Sequence, residues 1–584
     1  MRKIKCKLYN EPDYSLSAQQ QILYNRGIPV EKQEEWLNAG WDNINDWRLL
    51  KNIDKAAEVL YNTYTNPEKC VGILVDEDCD GLGSSSLAYN FLHRIGALCE
   101  KELIFHRQRK AHGLSDLDLE SIKDKYDLLW VPDSASNDYA DLEYLSMYPL
   151  VVVINDHHIA EYESPYAIVV NNQLCDYPNK NFSGGGIVFQ QCRAIEDMFY
   201  NGDHSVSTSL LDLCAFSNIS DMMDSRELET KAIANLGLTN LDNKFLKNMA
   251  EAHKYSIDKM NGLNYLSCAF YITPYLNCCF RSGTQEELEF VCKAFLDDYA
   301  CQLVDSSKRG HKGEKVYWWE EAITIAERVK RRQTQVQNDA MDFLKSQIED
   351  NNLTDNAIII CKCNPDDISP SVVGLVANRI QAQYQHPTLV LREVEEDGVK
   401  KLKGSGRNYS NCEIEDMRKV CEDTGLTYYA QGHDSSFGCA MPAENEQAFI
   451  EATNEVYKDI SFIPVYWIDY SWTPGTVDSK RIIDIANLNI YGQNVPESYV
   501  EIHDISLHPS MIQLMGKNKD TIKITLPNGV AIMLFRQSED LYNQMCEDNM
   551  VLDVCGTCNE NIWNGTSTPQ VMCKEYTLRE EWIF

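Results

Sequence analysis

Positive charge is scarce in this 584-residue chain: 54 Lys and Arg stand against 88 Asp and Glu, a formal net charge of −34. A molecule with that balance does not adhere to nucleic acid through its overall field, so any contact with phosphate has to come from local basic segments. Long apolar runs are missing too. No uninterrupted stretch reaches the roughly 18 apolar residues of a membrane span, and no apolar leader follows Met1-Arg2-Lys3, so the chain is expected to be soluble and unexported, with no membrane partner. The 21 cysteines lack the regular spacing of a disulfide framework and sit in apparent core segments, as at Cys192, Cys214 and Cys292, which suits a reducing cytoplasm. Cys555 and Cys558 are the one close pair with zinc-like spacing. With no second pair nearby they read as core or surface cysteines. No internal repeat and no low-complexity segment is found. The length exceeds one core, and with 44% apolar residues the chain is expected to fold as three or four domains.

What the chain does have is acid at the ends of apolar runs. Val71–Val75 is followed by Asp76-Glu77-Asp78-Cys79-Asp80-Gly81, Leu128–Val131 by Pro132-Asp133, and Leu150–Ile154 by Asn155 and then Asp156-His157-His158. Short continuous apolar runs bounded by turn residues read as parallel core strands, and open α/β sheets bind ligands at the carboxyl ends of such strands. Asp221, after Cys214–Ser220, is a fourth acidic site. Carboxylates with one or two imidazoles suit Mn²⁺ or Mg²⁺ better than thiolate-held zinc. An EF-hand reading of Asp76, Asp78, Asp80 and Gly81 fails because position twelve is Leu87 and a strand precedes the motif where a helix is required. Separate turn aspartates and surface histidines would explain any one site, but not four in succession.

Along the chain, residues 1–65 read as a helical preface. Residues 66–240 alternate strands and helices in a βαβ pattern, with Ser183-Gly184-Gly185-Gly186 opening a helix in a position suited to backbone contact with phosphate or with packed neighbours. Residues 241–350 form a connector ending in a long helix over Glu320–Gln347. A second α/β unit spans 351–460, with a loop at Gly404-Ser405-Gly406-Arg407-Asn408. A linker covers 461–498, and short alternating strands over 499–584 predict a small β-barrel or sandwich, with a hairpin around Pro527-Asn528-Gly529. Basic residues concentrate at His106–Lys110, at Lys308–Lys315 and at Lys330–Arg332; each, taken alone, reads as a solvated face.

These segments together resemble the DHH phosphoesterases, and within them the RecJ-type single-strand-specific 5′→3′ exonucleases. Asp76-x-Asp78-x-Asp80-Gly81, Asp133, Asp156-His157-His158 and Asp221 resemble the four motifs of the family. Arg107 with His112-Gly113-Leu114, Pro274–Arg281, Val373–Arg379, Gly404–Arg407 with Gly432-His433, and Asn561–Gly565 with Gln570 resemble RecJ stretches outside the metal site. Gln431, Cys278-Cys279 and the charged loop 305–315 depart from the pattern. The resemblance implies an α/β fold: a parallel-sheet DHH domain and a smaller DHHA1-like α/β domain joined by a long helix, followed by an OB-like β-barrel. The acidic, divergent chain would suit a phage-encoded copy acting in a host cytoplasm.

The resemblance also implies a metal-dependent exonuclease that hydrolyses single-stranded DNA to 5′-mononucleotides, in repair, recombination or replication. Two Mn²⁺ or Mg²⁺ ions would serve it, one held by Asp76 and Asp78 and the other by Asp80, His157 and Asp221, with Asp133 between them. Asp156 would orient an imidazole, and His158 would face the scissile phosphate. Arg107, Arg109, Arg281, Arg379, Ser405, Arg407 and His433 would contact phosphate, with Trp563 either stacking on a base or buried in the barrel. The chain is expected to act as a monomer, with a single-strand-binding protein or a helicase as protein partner. The alternatives are a DHH phosphodiesterase of short oligonucleotides or cyclic dinucleotides, and a non-catalytic RecJ-like subunit of a replication complex. The latter expects eroded acidic positions, which are intact here.

Overall fold

Contacts do not divide the chain at a single point. In the computed structural model, which describes residues 4–107, 112–396, 398–460 and 462–581, one unit consists of Ile28–Arg331 with Asn489–Pro496, and the other of the stretch ending at Gly27 with Arg332–Leu488 and the chain from Glu497. The expected helical preface is therefore cut in two. Its first part is strand β1 (Lys5–Leu8) and helix α1 (Ala18–Asn25). Ile4, Cys6 and Leu8 alternate with Lys5 and Lys7, a period-two pattern that packs one face on Tyr466 and Ile468. Arg26 secures the end of this stretch. Its guanidinium donates to both carboxylate oxygens of Asp469 at 2.8 and 2.9 Å with both side chains buried, the bidentate geometry in which an ion pair is strongest.

The unit built on Ile28–Arg331 has a five-stranded parallel sheet in the order β3-β2-β4-β5-β6: β2 (Cys70–Val75), β3 (Glu100–Phe105), β4 (Leu128–Pro132), β5 (Val151–Asp156) and β6 (Ile168–Asn171). All three predicted strands are present. Helices α2 (Ile53–Tyr64), α3 (Cys79–Arg94), α4 (Gly184–Phe199) and α5 (Leu211–Ser220) share one core with this sheet. α3 is buried almost throughout, although it carries Ser84, Ser85, Ser86 and Asn90. Small side chains rather than an apolar stripe let it approach its neighbours: a Cβ on Gly83 would lie 2.2 Å from Ser217 Oγ, and one on Gly185 2.3 Å from the same atom. Helices α6 (Leu228–Gly237) and α7 (Thr273–Ser282) follow. The charged loop 305–315 is the turn of a hairpin, β7 (Leu303–Asp305) with β8 (Lys315–Tyr317), closed by an Asp305–Lys315 ion pair at 2.7 Å. Helix α8 runs from Trp318 to Asp350, and the boundary between the units falls within it at Arg331 and Arg332.

In the other unit, β9 (Ile359–Cys363), β10 (Thr388–Glu396), β11 (Val399–Arg407), β12 (Tyr429–His433) and β13 (Ser436–Pro442) form a mixed sheet in the order β12-β13-β11-β10-β9, with α9 (Pro370–Tyr384) against β10 and β11. The glycine segment 404–407 is strand, not loop. Its glycines leave room for neighbours that a side chain would strike, Val390 O at 1.9 Å from a Cβ on Gly404 and the Phe437 ring at 2.5 Å from one on Gly406. The described part of the predicted linker, from residue 462 to 498, is also structured. It holds β14 (Val465–Ile468), which pairs in parallel with β1, then β15 (Tyr470–Trp472) and α10 (Ser479–Ala486). The last sheet has the order β15-β16-β20-β21-β19-β18-β17, with β16 (Tyr499–Ser506), β17 (Ile512–Met515), β18 (Thr521–Thr525), β19 (Ala531–Phe535), β20 (Met550–Trp563) and β21 (Thr566–Glu580). β18 and β19 are the hairpin expected around Pro527-Asn528-Gly529. Among the described residues β15 and β17 do not pair, so hydrogen bonding leaves the sheet open. Register shifts at Ile502/Ile505 and Cys555/Gly556 are the irregularities that bend such a sheet. No helix among the described residues is long and apolar enough to cross a membrane.

The contact between α3 and α5 is directly testable. Alanine at Gly83 gains about 1 kcal/mol in helix propensity, but its methyl group overlaps Ser217 Oγ, and overpacking costs about 1–3 kcal/mol. G83A is expected to lower stability. S217A should be neutral or better, because the buried Ser217 Oγ has no hydrogen-bond partner among the described residues. The double variant should recover most of the loss. Denaturant unfolding of the four proteins measures the coupling, and additive effects would refute the overlap.

Candidate metal centre

Strand register builds the site. Continuing the pairings of β2 with β3, β2 with β4 and β4 with β5 one to three residues past their last paired positions sets His106 beside Asp76, Asp76 beside Asp133 and Asp133 beside Asp156. Asp156 itself pairs with Asn171 of β6. A single row of side chains thus spans the carboxyl ends of all five strands. Asp133 and Ala135 leave β4 with φ of 66° and 74°, the left-handed region in which a non-glycine residue costs on the order of 1–2 kcal/mol. Such strain turns the chain sharply into the site.

Glycines in the first turns of α3 and α4 clear the space around these carboxylates. A Cβ on Gly81 would lie 2.5 Å from Asp76 O, and one on Gly184 2.5 Å from Asp133 Cβ. Asp78 caps α3 by accepting from Gly81 N at 2.9 Å. Asp80 accepts from Gly184 N at 2.7 Å and Gly185 N at 3.0 Å, at the positive N-terminus of α4. Of the two readings of the glycine cluster, backbone contact with a packed neighbour is the observed one, and that neighbour is a carboxylate. Asp221 is the C-terminal cap of α5 rather than a strand end.

Three overlapping groups of potential ligand atoms result, each within 4.8 Å: Asp76, Asp78 and Asp133; Asp80, His157 and Asp221; and Asp133, His157 and His158. His157 Nε2 lies 3.2 Å from Asp133, 3.4 Å from Asp221 and 3.8 Å from Asp80. Both carboxylate oxygens of Asp133 and Nε2 of His157 are buried with no hydrogen-bond partner among the described residues. Burial and the neighbouring carboxylates push Asp133 well above the usual carboxylate range, and raise Asp78 to about 6 and Asp221 to about 8. Burial likewise lowers His157, which favours the neutral imidazole of a metal ligand. Buried oxygens that repel one another and lack donors fit hard divalent cations, which would neutralise them.

Asp156 does a different job. It accepts from the backbone N–H groups of His157, His158 and Ser136, and pairs with His158 Nδ1 at 2.8 Å. The imidazole it orients is therefore that of His158. Burial would raise the Asp156 carboxyl, but the His158 hydrogen bond and charge outweigh it and hold it low; the same bond lifts His158 to about 9. The His158 side chain is exposed at the mouth of the site.

Two histidines that the sequence reading set outside the metal site, His112 in a family-like stretch and His106 in a basic cluster, stand beside Asp76. His112 Nδ1 lies 2.7 Å from Asp76 Oδ2, which lifts its pKa, and Gly113 N donates to Asp76 Oδ1 at 3.1 Å. His106, placed in a solvated basic cluster, is buried with Nε2 3.8 Å from Asp76. Only three apolar residues, Leu103-Ile104-Phe105, precede it after the charged Glu100-Lys101-Glu102, so it lacks the continuous apolar run that marks Asp76 and Asp133. Arg107 is exposed and pairs with Asp118 at 2.7 Å, and Arg109 lies outside the described residues. Arg281, on α7, lies close enough to Cys79 at the start of α3 for its charge to act on that thiol.

The other expected contacts lie in the C-terminal unit. Arg407, Ser436 and His433 align across β11, β13 and β12, and the Arg407 guanidinium and Ser405 Oγ both face Gly374 of α9. Arg379, exposed on α9, donates to Asn338 at 2.9 Å. Trp563 is not barrel core: it is 73% exposed beside Ile562 at the tip of the β20–β21 hairpin, which turns through Asn564-Gly565.

If Asp133 belongs to a metal centre, D133N is expected to stabilise the metal-free protein, by about 1 kcal/mol or more, because it removes a repelled buried charge while Asn tolerates the left-handed backbone. It should also abolish stabilisation by Mn²⁺, which for the parent would reach about 2.7 kcal/mol at a hundred times Kd. Unfolding with EDTA and with MnCl₂ checks both, and an unchanged response to Mn²⁺ would remove Asp133 from the centre.

Comparison with known proteins agrees with the fold. Residues 70–217 match the DHH family, N-terminal domain, and residues 468–575 the RecJ OB domain. A Bacillus subtilis protein described as a putative SPbeta prophage-derived single-strand DNA-specific exonuclease, YorK, is 31% identical over 591 residues, covering 99% of this chain and 100% of that one. The single-stranded-DNA-specific exonuclease RecJ of the same organism is 24% identical over 575 residues, 96% of this chain and 68% of that one. The crystal structure of RecJ in complex with Mn²⁺ from Thermus thermophilus shares the fold, with a TM-score of 0.70 at 19% identity over 99% of this chain and 80% of that chain. A full-length relative at this identity and the two domain matches together establish that the chain belongs to the DHH family, in its RecJ branch.

Proposed function

We propose that this protein is a metal-dependent exonuclease that degrades single-stranded DNA from the 5′ end and releases 5′-mononucleotides. The observation that carries the reading is the pair of acidic triads linked by Asp133 and His157, whose buried oxygens and nitrogen have no donor or acceptor of their own among the described residues. It is supported by a relative of the same length described as a single-strand DNA-specific exonuclease. Two Mn²⁺ or Mg²⁺ ions in such a donor set supply charge neutralisation at the phosphoryl oxygens and a water acidic enough to attack near neutral pH.

The chain's own residues do the rest. Asp76 with Asp78, and Asp80 with His157 and Asp221, hold the two halves of the centre, and Asp133 joins them. The Gly184 and Gly185 N–H groups fix the Asp80 carboxylate, and His112 fixes Asp76. His158, held by Asp156, donates a hydrogen bond to a phosphoryl oxygen of the scissile group, and Arg281 contributes positive charge on the same unit. Ser405, Arg407 and His433 hold backbone phosphates of the strand, arginine's fork suiting bidentate contact. The match to a RecJ OB domain over 468–575 favours a long strand over a dinucleotide as substrate. Action as a monomer in the cytoplasm, alongside a single-strand-binding protein or helicase, belongs to the same proposal.

The decisive experiment is incubation with Mn²⁺ and 5′- or 3′-labelled single strands, duplexes and dinucleotides, with product lengths resolved. Mononucleotides released in order from the 5′ end of single strands are expected; cleavage confined to dinucleotides would sink the proposal. R407A should weaken strand binding and turnover about tenfold to a hundredfold, as expected for one desolvated charged contact of about 1.5–3 kcal/mol, and leave Mn²⁺-dependent melting unchanged. W563A should keep parental stability and activity on very short strands but bind long ones more weakly by about 1–3 kcal/mol, the value of one stacked base. Equal affinity for long strands would show that the tip does not stack.

A further inference from the structure

A second site is suggested by a cavity of about 350 Å³ within the unit that carries the metal centre, lined by Ser225, Lys231, Asn235, Tyr265, Asn489 and Tyr491 among others. That volume falls in the range of small-molecule sites. The segment Asn489–Pro496 closes one side of it. Ser225 donates through N and Oγ to Gln493 O at 3.1 and 2.6 Å, and a Cβ on Gly492 would lie 2.7 Å from Ser225 Oγ, so only glycine lets the segment sit this close.

The lining contains one cation and no carboxylate. Lys231, on α6, places Nζ 4.4 Å over the ring of Trp36, whose Nε1 donates to Ser225 O at 2.9 Å. No carboxylate pairs with Lys231 among the described residues, and burial alone brings its ammonium down to about 8. Other cations drawn from solvent have partners: buried Arg26 has Asp469, and half-buried Arg94 has Asp297 and Asp242. In a chain with 88 acidic and 54 basic residues an isolated, desolvated ammonium stands out. Taking such a charge out of water is costly unless an anion meets it. The same lining includes Asn235, Asn489, Tyr265 and Tyr491; the Asn235 amide donates to Ala39 O at 3.0 Å and the Tyr265 hydroxyl to Met223 O at 3.2 Å, which leaves the rings as surfaces for an uncharged, ring-bearing group.

We propose that this cavity binds a phosphate monoester of mononucleotide size, with the phosphate on Lys231 and the base toward the tyrosines. The choice of ligand rests on the exonuclease reading, under which such molecules are the products; the site would then sense product through residues other than the metal ligands, although Tyr265 lies near enough to Asp221 to feel its charge. Binding is measured without catalysis, so the two ideas fail separately.

Full-length protein in EDTA is titrated with deoxyadenosine 5′-monophosphate, deoxyadenosine and inorganic phosphate by calorimetry. One saturable site is expected for the monophosphate, with the nucleoside and free phosphate at least tenfold weaker. K231M should lose at least tenfold in affinity while melting no lower than the parent, because it removes an uncompensated charge. R407A and D133N should bind as the parent does. If K231M does not fold, N235D, which sets a carboxylate one helical turn from the ammonium, should abolish binding in its place. Parental affinity in K231M or N235D, absence of a saturable site, equal affinity for free phosphate, or loss in R407A would each overturn the assignment.

Discussion

Parallel register is the constraint on which the candidate site depends. Once β2, β3, β4, β5 and β6 are aligned, the residues at their carboxyl ends have nowhere to go but one row, and that row holds His106, Asp76, Asp133, Asp156 and Asn171. The row would be unfavourable if all its members were alike. It is sorted instead: Asp156 is satisfied by three backbone donors and His158, and Asp76 by Gly113 and His112, whereas Asp133, between them, is left without a donor among the described residues. The burial and mutual repulsion that raise Asp133, Asp78 and Asp221 are thus concentrated where cations would relieve them, and the fold tolerates them because the surrounding strands fix these positions.

Glycine makes that concentration sterically attainable. Gly81 and Gly184 are where a methyl group would strike Asp76 or Asp133, and Gly83 and Gly185 are where it would strike Ser217. Helices α3, α4 and α5 therefore meet closely enough for the N-terminus of α4 to hold Asp80. The same device recurs in the other unit, where Gly374 leaves room for the Arg407 guanidinium and Gly404 and Gly406 let β11 pass its neighbours.

Net charge and local charge have separate consequences in this molecule. A value of −34 works against loose association with DNA anywhere on the surface. The Arg407, Ser436 and His433 row and the single cation Lys231 are local exceptions, each defined by its neighbours rather than by abundance.

Strand type and strand ends were legible in the sequence because a fully buried parallel strand must be apolar throughout and must stop at a turn. That logic located Asp76, Asp133, Asp156, His157 and His158, and the period-3.6 pattern located α8. Segments whose conformation depends on partners far along the chain were not legible. β1 is only four residues long and is stabilised by β14, more than four hundred residues later. Gly404–Arg407 has the composition of a loop and is strand because β10 and β13 flank it. His106 reads as one of a run of surface cations until register sets it beside Asp76. Composition and periodicity are local and fix what each segment can become; which side chains share a row, which carboxylate lacks a donor and which lysine lacks an acid are properties of long-range packing, and only the tertiary structure decided them.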